Sequence, residues 1–137
     1  MEDSPPYCVF IADDDEDDRF LLRLAFQQQS PQSVIVFAVD GIDLLSALAE
    51  SPLHPCLIIL DLNMPRLNGL EALEALRQVE TYRATPIVIL TTSDDGFHRQ
   101  QAYDLGANDY LVKPLNLGSL LKIVDKLVAD WNLTHCT

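Results

Sequence analysis

Apolar residues fall along this chain in five short runs, at 9–12, 34–38, 57–60, 87–91 and 109–112. The run Leu57-Ile58-Ile59-Leu60 is apolar at every position, which is how a strand buried on both faces reads. Between the runs the apolar positions shift to helical spacing. Leu21, Leu22, Ala25 and Phe26 share one face of a first helix that begins inside an acidic stretch, where a positive helix N-terminus is favoured. Leu44, Leu45 and Leu48 mark a second helix after Asp40-Gly41, and Leu70, Leu73 and Leu76 a third, after Asn68-Gly69 and through Val79. A fourth covers about 95–105 and stops at Gly106, and a last covers about 117–131, with Leu120, Leu121, Val124 and Leu127 in register. Strand–helix units repeating at roughly the ~30 residues of a βαβ unit predict an α/β fold, a doubly wound five-stranded parallel sheet with helices on both faces. The common five-strand order is 2-1-3-4-5. Its ligand crevice lies at the strand carboxyl ends, between strands 1 and 3.

Size and composition narrow the class. A chain of 137 residues suits one core, and 48% hydrophobic content is too high for disorder. One domain is expected over 7–131, with tails at 1–6 and 132–137 and no linker to a second domain. No apolar run approaches the ~20 residues of a membrane span. The acidic, Pro-rich start lacks the basic-then-apolar pattern of a signal peptide, so a cytoplasmic location is expected. The net charge of −12 argues against direct binding to nucleic acid or to anionic membrane. The odd count of three cysteines has no Cys-x-x-Cys, so neither a disulfide framework nor a zinc site is expected; Cys8 and Cys56 read as buried free thiols. His54, His98 and His135 show no ligand spacing and read as surface residues.

The chemistry collects at strand ends. Asp13 and Asp14 follow the first strand, Asp61 ends the third, Thr91 ends the fourth, and Lys113-Pro114 ends the fifth. Three carboxylates at one edge would raise one another's pKa unless a cation joined them. Mg²⁺ suits such a set, because it takes one or two carboxylates together with phosphate oxygens and water. Lys113 adds a positive charge, Asp61 is an in-line nucleophile able to form an acyl phosphate, and Thr91 can donate to a phosphoryl oxygen.

Asp13-Asp14, Asp61 with Met64-Pro65 and Gly69, Thr91, and Lys113-Pro114 together resemble the receiver domain of two-component response regulators, over about 7–128. The resemblance implies a flavodoxin-like (βα)5 fold. It implies that Asp61 accepts a phosphoryl group from a sensor histidine kinase in a Mg²⁺-dependent phosphorelay. Asp13, Asp14, Asp61 and the backbone carbonyl of Asn63 would hold the metal. Lys113 would pair with Asp61, and Thr91 and Tyr110 would form the switch. The acid run leaves two registers for the metal pair, Asp13-Asp14 and Asp14-Asp15, and the position of Arg19 favours the first. A cis Lys113-Pro114 peptide is also implied. Thr92 departs from the small Ala common at its place. Such a protein catalyses only its own phosphorylation and dephosphorylation. With no effector domain attached, it would signal to a downstream protein or a histidine phosphotransfer protein, and a homodimer through helix 4, strand 5 and helix 5 is possible. Tyr82-Arg83-Ala84-Thr85 and Thr91-Thr92-Ser93 resemble the small bacterial response regulators paired with phytochrome-type kinases.

Each residue also has a modest reading. Asp61 alone would cap a turn, Lys113 would be a surface ion-pair partner, Thr91 a β-branched strand residue and Tyr110 a core aromatic. Those readings weaken jointly, because all the polar groups fall on one sheet edge. Met64 is best explained by core packing, and Trp131 by capping the last helix. A haloacid-dehalogenase-like phosphatase would need a second Asp where Asn63 stands. A flavin carrier would need a Ser/Thr/Gly-rich phosphate loop where the acid run stands.

Overall fold

The computed structural model describes residues 8–131. Strands β1 (Cys8–Ala12), β2 (Val34–Ala38), β3 (Leu57–Leu60), β4 (Ile87–Thr91) and β5 (Asp109–Val112) alternate with helices α1 (Glu16–Gln29), α2 (Gly41–Glu50), α3 (Gly69–Gln78), α4 (Gly96–Asp104) and α5 (Leu117–Asp130). All strand pairs are parallel, in the order β2-β1-β3-β4-β5. A short 3-10 turn, Glu80–Tyr82, precedes β4 and has no signal in the apolar periodicity.

Period-two alternation divides the core into two layers. Phe10, Ala12, Ile58, Leu60, Ile87 and Ile89 point to one face, where Leu44 and Leu48 of α2, Leu73 and Leu76 of α3, and Ala102 of α4 cover them. Val9, Ile11, Leu57, Ile59, Val88 and Leu90 point to the other, beneath Leu22 and Phe26 of α1 and Leu120, Val124 and Leu127 of α5. Every residue of β1, β3 and β4 is buried, as a sheet covered on both sides requires. Met64 joins the first layer, and Trp131 packs on the second at the end of α5.

Polar caps start the helices. Asp15 accepts from the backbone N–H of Asp17 and Asp18, Asp40 from Asp43, and Asn116 from Ser119. Asn68 and Glu71 form a reciprocal capping box at α3.

Three expectations change. The Lys113–Pro114 peptide is trans, since no cis bond occurs among the described residues. Trans remains the lower-energy form even before proline, by roughly 0.5–1 kcal/mol. Cys8 is a buried free thiol, but Cys56 is disulfide-bonded; it is half-buried and stands one residue before β3, and a bonded sulfur depends on what the fold brings near it. His98 is half-buried, with Nδ1 2.9 Å from Ser93 Oγ. His54 stacks on Tyr82, and His135 lies outside the described residues.

Candidate functional site

The sheet order puts the ends of β1 and β3 side by side, and backbone hydrogen bonds fix both acids there. Asp13 N donates to Ala38 O and Asp61 N to Ala12 O, each at 3.0 Å. Asp13 and Asp61 are buried, whereas Asp14 points into solvent. One carboxylate oxygen from each of Asp13, Asp14 and Asp61 lies within 4.8 Å of the other two. Asp15 has a different use: its carboxylate caps α1, and its N–H donates to Asp13 Oδ1 at 2.9 Å. Arg19 reaches back from α1 to Asp13 O at 2.6 Å and ties the helix to the strand end.

β5 brings the cation. Lys113 N donates to Thr91 O at 2.7 Å, which sets its side chain at the same edge. Lys113 Nζ lies 2.7 Å from Asp13 Oδ2, 2.7 Å from Asp18 Oδ2 and 2.9 Å from Asp61 Oδ2. Burial by itself would favour the neutral amine, but the hydrogen bonds Lys113 donates to Asp13, Asp18 and Asp61 outweigh it and hold its pKa above the ordinary lysine range. Burial pushes the Asp13 carboxyl up, the Asp61 charge adds to this, and Lys113 offsets part of it. Asp18 was not singled out by the sequence reading. Its signal is position: it follows Asp14 by one helical turn, on the first turn of a helix beginning at the site.

Thr91 is fully buried, and its Oγ1 accepts from Ser93 N at 3.3 Å; Thr92 beside it is exposed. Tyr110 lies inward, 2% exposed, and its hydroxyl donates to Ser93 O at 2.8 Å. The Arg99 guanidinium covers its ring at 4.6 Å and donates to Tyr110 O at 3.2 Å. Ser93 therefore links Thr91, Tyr110 and His98.

The β3–α3 loop closes the floor. Arg66 adopts φ 63° and forks onto buried Asp40 at 2.7 and 3.1 Å. Gly69 N donates to Leu62 O at 3.0 Å, and a Cβ on Gly69 would stand 2.1 Å from Asp61 O, so this position has room only for glycine. Asn63 in the same loop is exposed.

Clustered oxygen donors, one of them open to solvent, fit a hard divalent cation such as Mg²⁺. Asp13, Asp14 and Asp61 are the side chains that would hold it. No helix among the described residues is long and apolar enough to cross a membrane.

The response regulator receiver domain model matches residues 9–125. The response regulator Rcp1 of Synechocystis is 30% identical over 95% of this chain and 92% of its own length. The probable methanogenesis regulatory protein FilR2 of Methanothrix harundinacea is 30% identical over 96% and 87%. Among solved structures, the phosphorylated cyanobacterial phytochrome response regulator RcpA superposes with a TM-score of 0.87 at 28% identity, over 96% of this chain and 98% of that one. The Mn²⁺-bound form of Rcp1 gives 0.84 at 28% identity and the same coverage. With its strand order, its strand-end acids and these relatives, the chain belongs to the response regulator receiver domain family.

Proposed function

We propose that this protein accepts a phosphoryl group on Asp61 from a phosphohistidine of a sensor histidine kinase, with Mg²⁺ held by Asp13, Asp14, Asp61 and the Asn63 carbonyl. The supporting observation is the convergence of Asp13, Asp14 and Asp61 within 4.8 Å, with Lys113 Nζ 2.9 Å from Asp61. In the transfer an Asp61 carboxylate oxygen bonds to phosphorus as the P–N bond to the donor imidazole breaks, and the imidazole leaves with the bonding pair. When bound, Mg²⁺ supplies neutralisation of the phosphoryl oxygens. Lys113 supplies a second fixed positive charge, and Thr91 Oγ1 donates to a phosphoryl oxygen once it turns from Ser93. The receiver module spans 7–131, catalyses only its own phosphorylation and dephosphorylation, and works in the cytoplasm.

Phosphorylation would then bias a two-state equilibrium read at Thr91 and Tyr110. The changed surface lies along β4, α4, β5 and α5. It would contact a downstream protein or a histidine phosphotransfer protein, or a second copy through α4, β5 and α5. Likeness to the cyanobacterial phytochrome response regulator RcpA supports a phytochrome-type kinase as the donor. Incubation with acetyl phosphate, followed by intact mass, tests the reading. A gain of one phosphoryl group is expected, Mg²⁺-dependent and lost in Asp61→Asn. No gain under any condition would overturn it.

A further inference from the structure

Asp18 is the one site carboxylate that the proposed chemistry does not use. It lies on the first turn of α1, where the Asp15 cap holds its N–H at 3.1 Å. Its Oδ2 takes Lys113 Nζ at 2.7 Å, closer than Asp61 does at 2.9 Å. An ammonium has three protons, and here three carboxylates surround it. Lys113 is only 10% exposed, whereas Asp18 is 33% exposed and faces outward. Asp18 is thus a third acceptor for the ammonium, and the most exposed of the three.

We infer that Asp18 is a positioning residue that shares the Lys113 ammonium with Asp13 and Asp61, so that these carboxylates give it up more readily to a divalent cation. The inference rests on the metal-dependent reading given above. An ammonium bound to both acids competes with any cation for the same oxygens, and metal binding must displace it. With a third acceptor at 2.7 Å, Lys113 keeps a partner when Asp13 leaves it, and no buried charge is stranded. Without Asp18, the whole ammonium falls on Asp13 and Asp61, and the cation meets a more firmly occupied site.

The test is calorimetric titration of the full chain with Mn²⁺ and with Mg²⁺. Asp18→Asn is expected to weaken binding by roughly three- to tenfold, the scale of a partly screened unit charge. Asp18→Glu keeps charge and reach and is expected to stay within about twofold of the parent. Asp17→Asn is the control, removing the same charge from an exposed neighbour that has no ion pair to Lys113. Circular dichroism would verify that each variant is folded. Equal affinity of Asp18→Asn and the parent would overturn this inference alone. So would an Asp17→Asn loss as large as that of Asp18→Asn, because a general field would then suffice. Failure of the parent chain to take up either ion would overturn the metal-dependent reading as well.

Discussion

Two half-buried cations sit at opposite edges of the same sheet, and their partners differ in kind. At the edge where strands begin, Arg77 of α3 donates to the carbonyls of Tyr82, Thr85 and Gly106 at 2.7, 2.8 and 3.0 Å, and to Asn108 Oδ1 at 2.8 Å. Every partner is neutral. At the edge where strands end, Lys113 meets three carboxylates. Arg77 satisfies loop carbonyls and so fastens the α3–β4 and α4–β5 connections. Lys113 only balances charges that a metal or a phosphoryl group would rearrange. A planar fork suits the first task and a compact, mobile ammonium the second. The lesson is that a buried cation's task is read from whether its acceptors are spent backbone or ionised side chains.

Substitutions at the two edges should separate the two tasks. Gly69→Ala should have the largest effect, about 3 kcal/mol of stability, because its Cβ would overlap the Asp61 carbonyl, which is backbone and cannot turn away. Urea unfolding would measure it, and phosphoryl uptake should fall with it. Arg77→Met should cost about 2–3 kcal/mol by orphaning loop carbonyls. Phosphoryl uptake per folded molecule should stay at the parent level, and a selective loss of uptake would refute the division between edges.

Lys113→Met should show the opposite profile. Its cost in chelator should be about 1–2 kcal/mol, limited because Asp13 can take up a proton. Mg²⁺ should restore most of that, while phosphoryl uptake falls tenfold or more. A thermal shift with and without Mg²⁺ separates these outcomes.

The smallest effect concerns acid. The Arg66 guanidinium and the Asp43 N–H hold the Asp40 carboxyl below the ordinary carboxylate range. Its folded pKa is thus below its unfolded one, so its stabilisation is present above about pH 4 and is lost as pH falls through the folded value. Asp40→Asn should flatten the acid limb of a stability–pH profile. Asp13, shifted up by burial, has the opposite sign: stability falls as pH rises from the ordinary carboxylate range through its raised value.

Much of the fold was legible because burial on both faces leaves an unbroken apolar run, and strands 2 to 5 match their runs residue for residue. The first gains only Cys8, already read as a buried thiol beside that run. The gathering of Asp13, Asp14, Asp61 and Lys113 at one edge followed from strand order alone. Asp18 did not follow, because strand order places only the residues at strand ends and Asp18 lies on the first turn of α1. The part of Ser93 that meets Tyr110 was hidden because it is a backbone carbonyl, whereas its hydroxyl meets His98. The trans Lys113–Pro114 bond and bonded Cys56 show where local sequence says little: peptide isomers and sulfur pairing depend on what the fold brings near.

The central claim is that one carboxylate, Asp61, takes the phosphoryl group. The most direct measurement is borohydride reduction of the acetyl phosphate-treated, Mg²⁺-loaded protein followed by peptide mass spectrometry, since an acyl phosphate on Asp is reduced to homoserine. Homoserine is expected at position 61 and nowhere else. Homoserine at position 14, 15 or 18 in its place would contradict it.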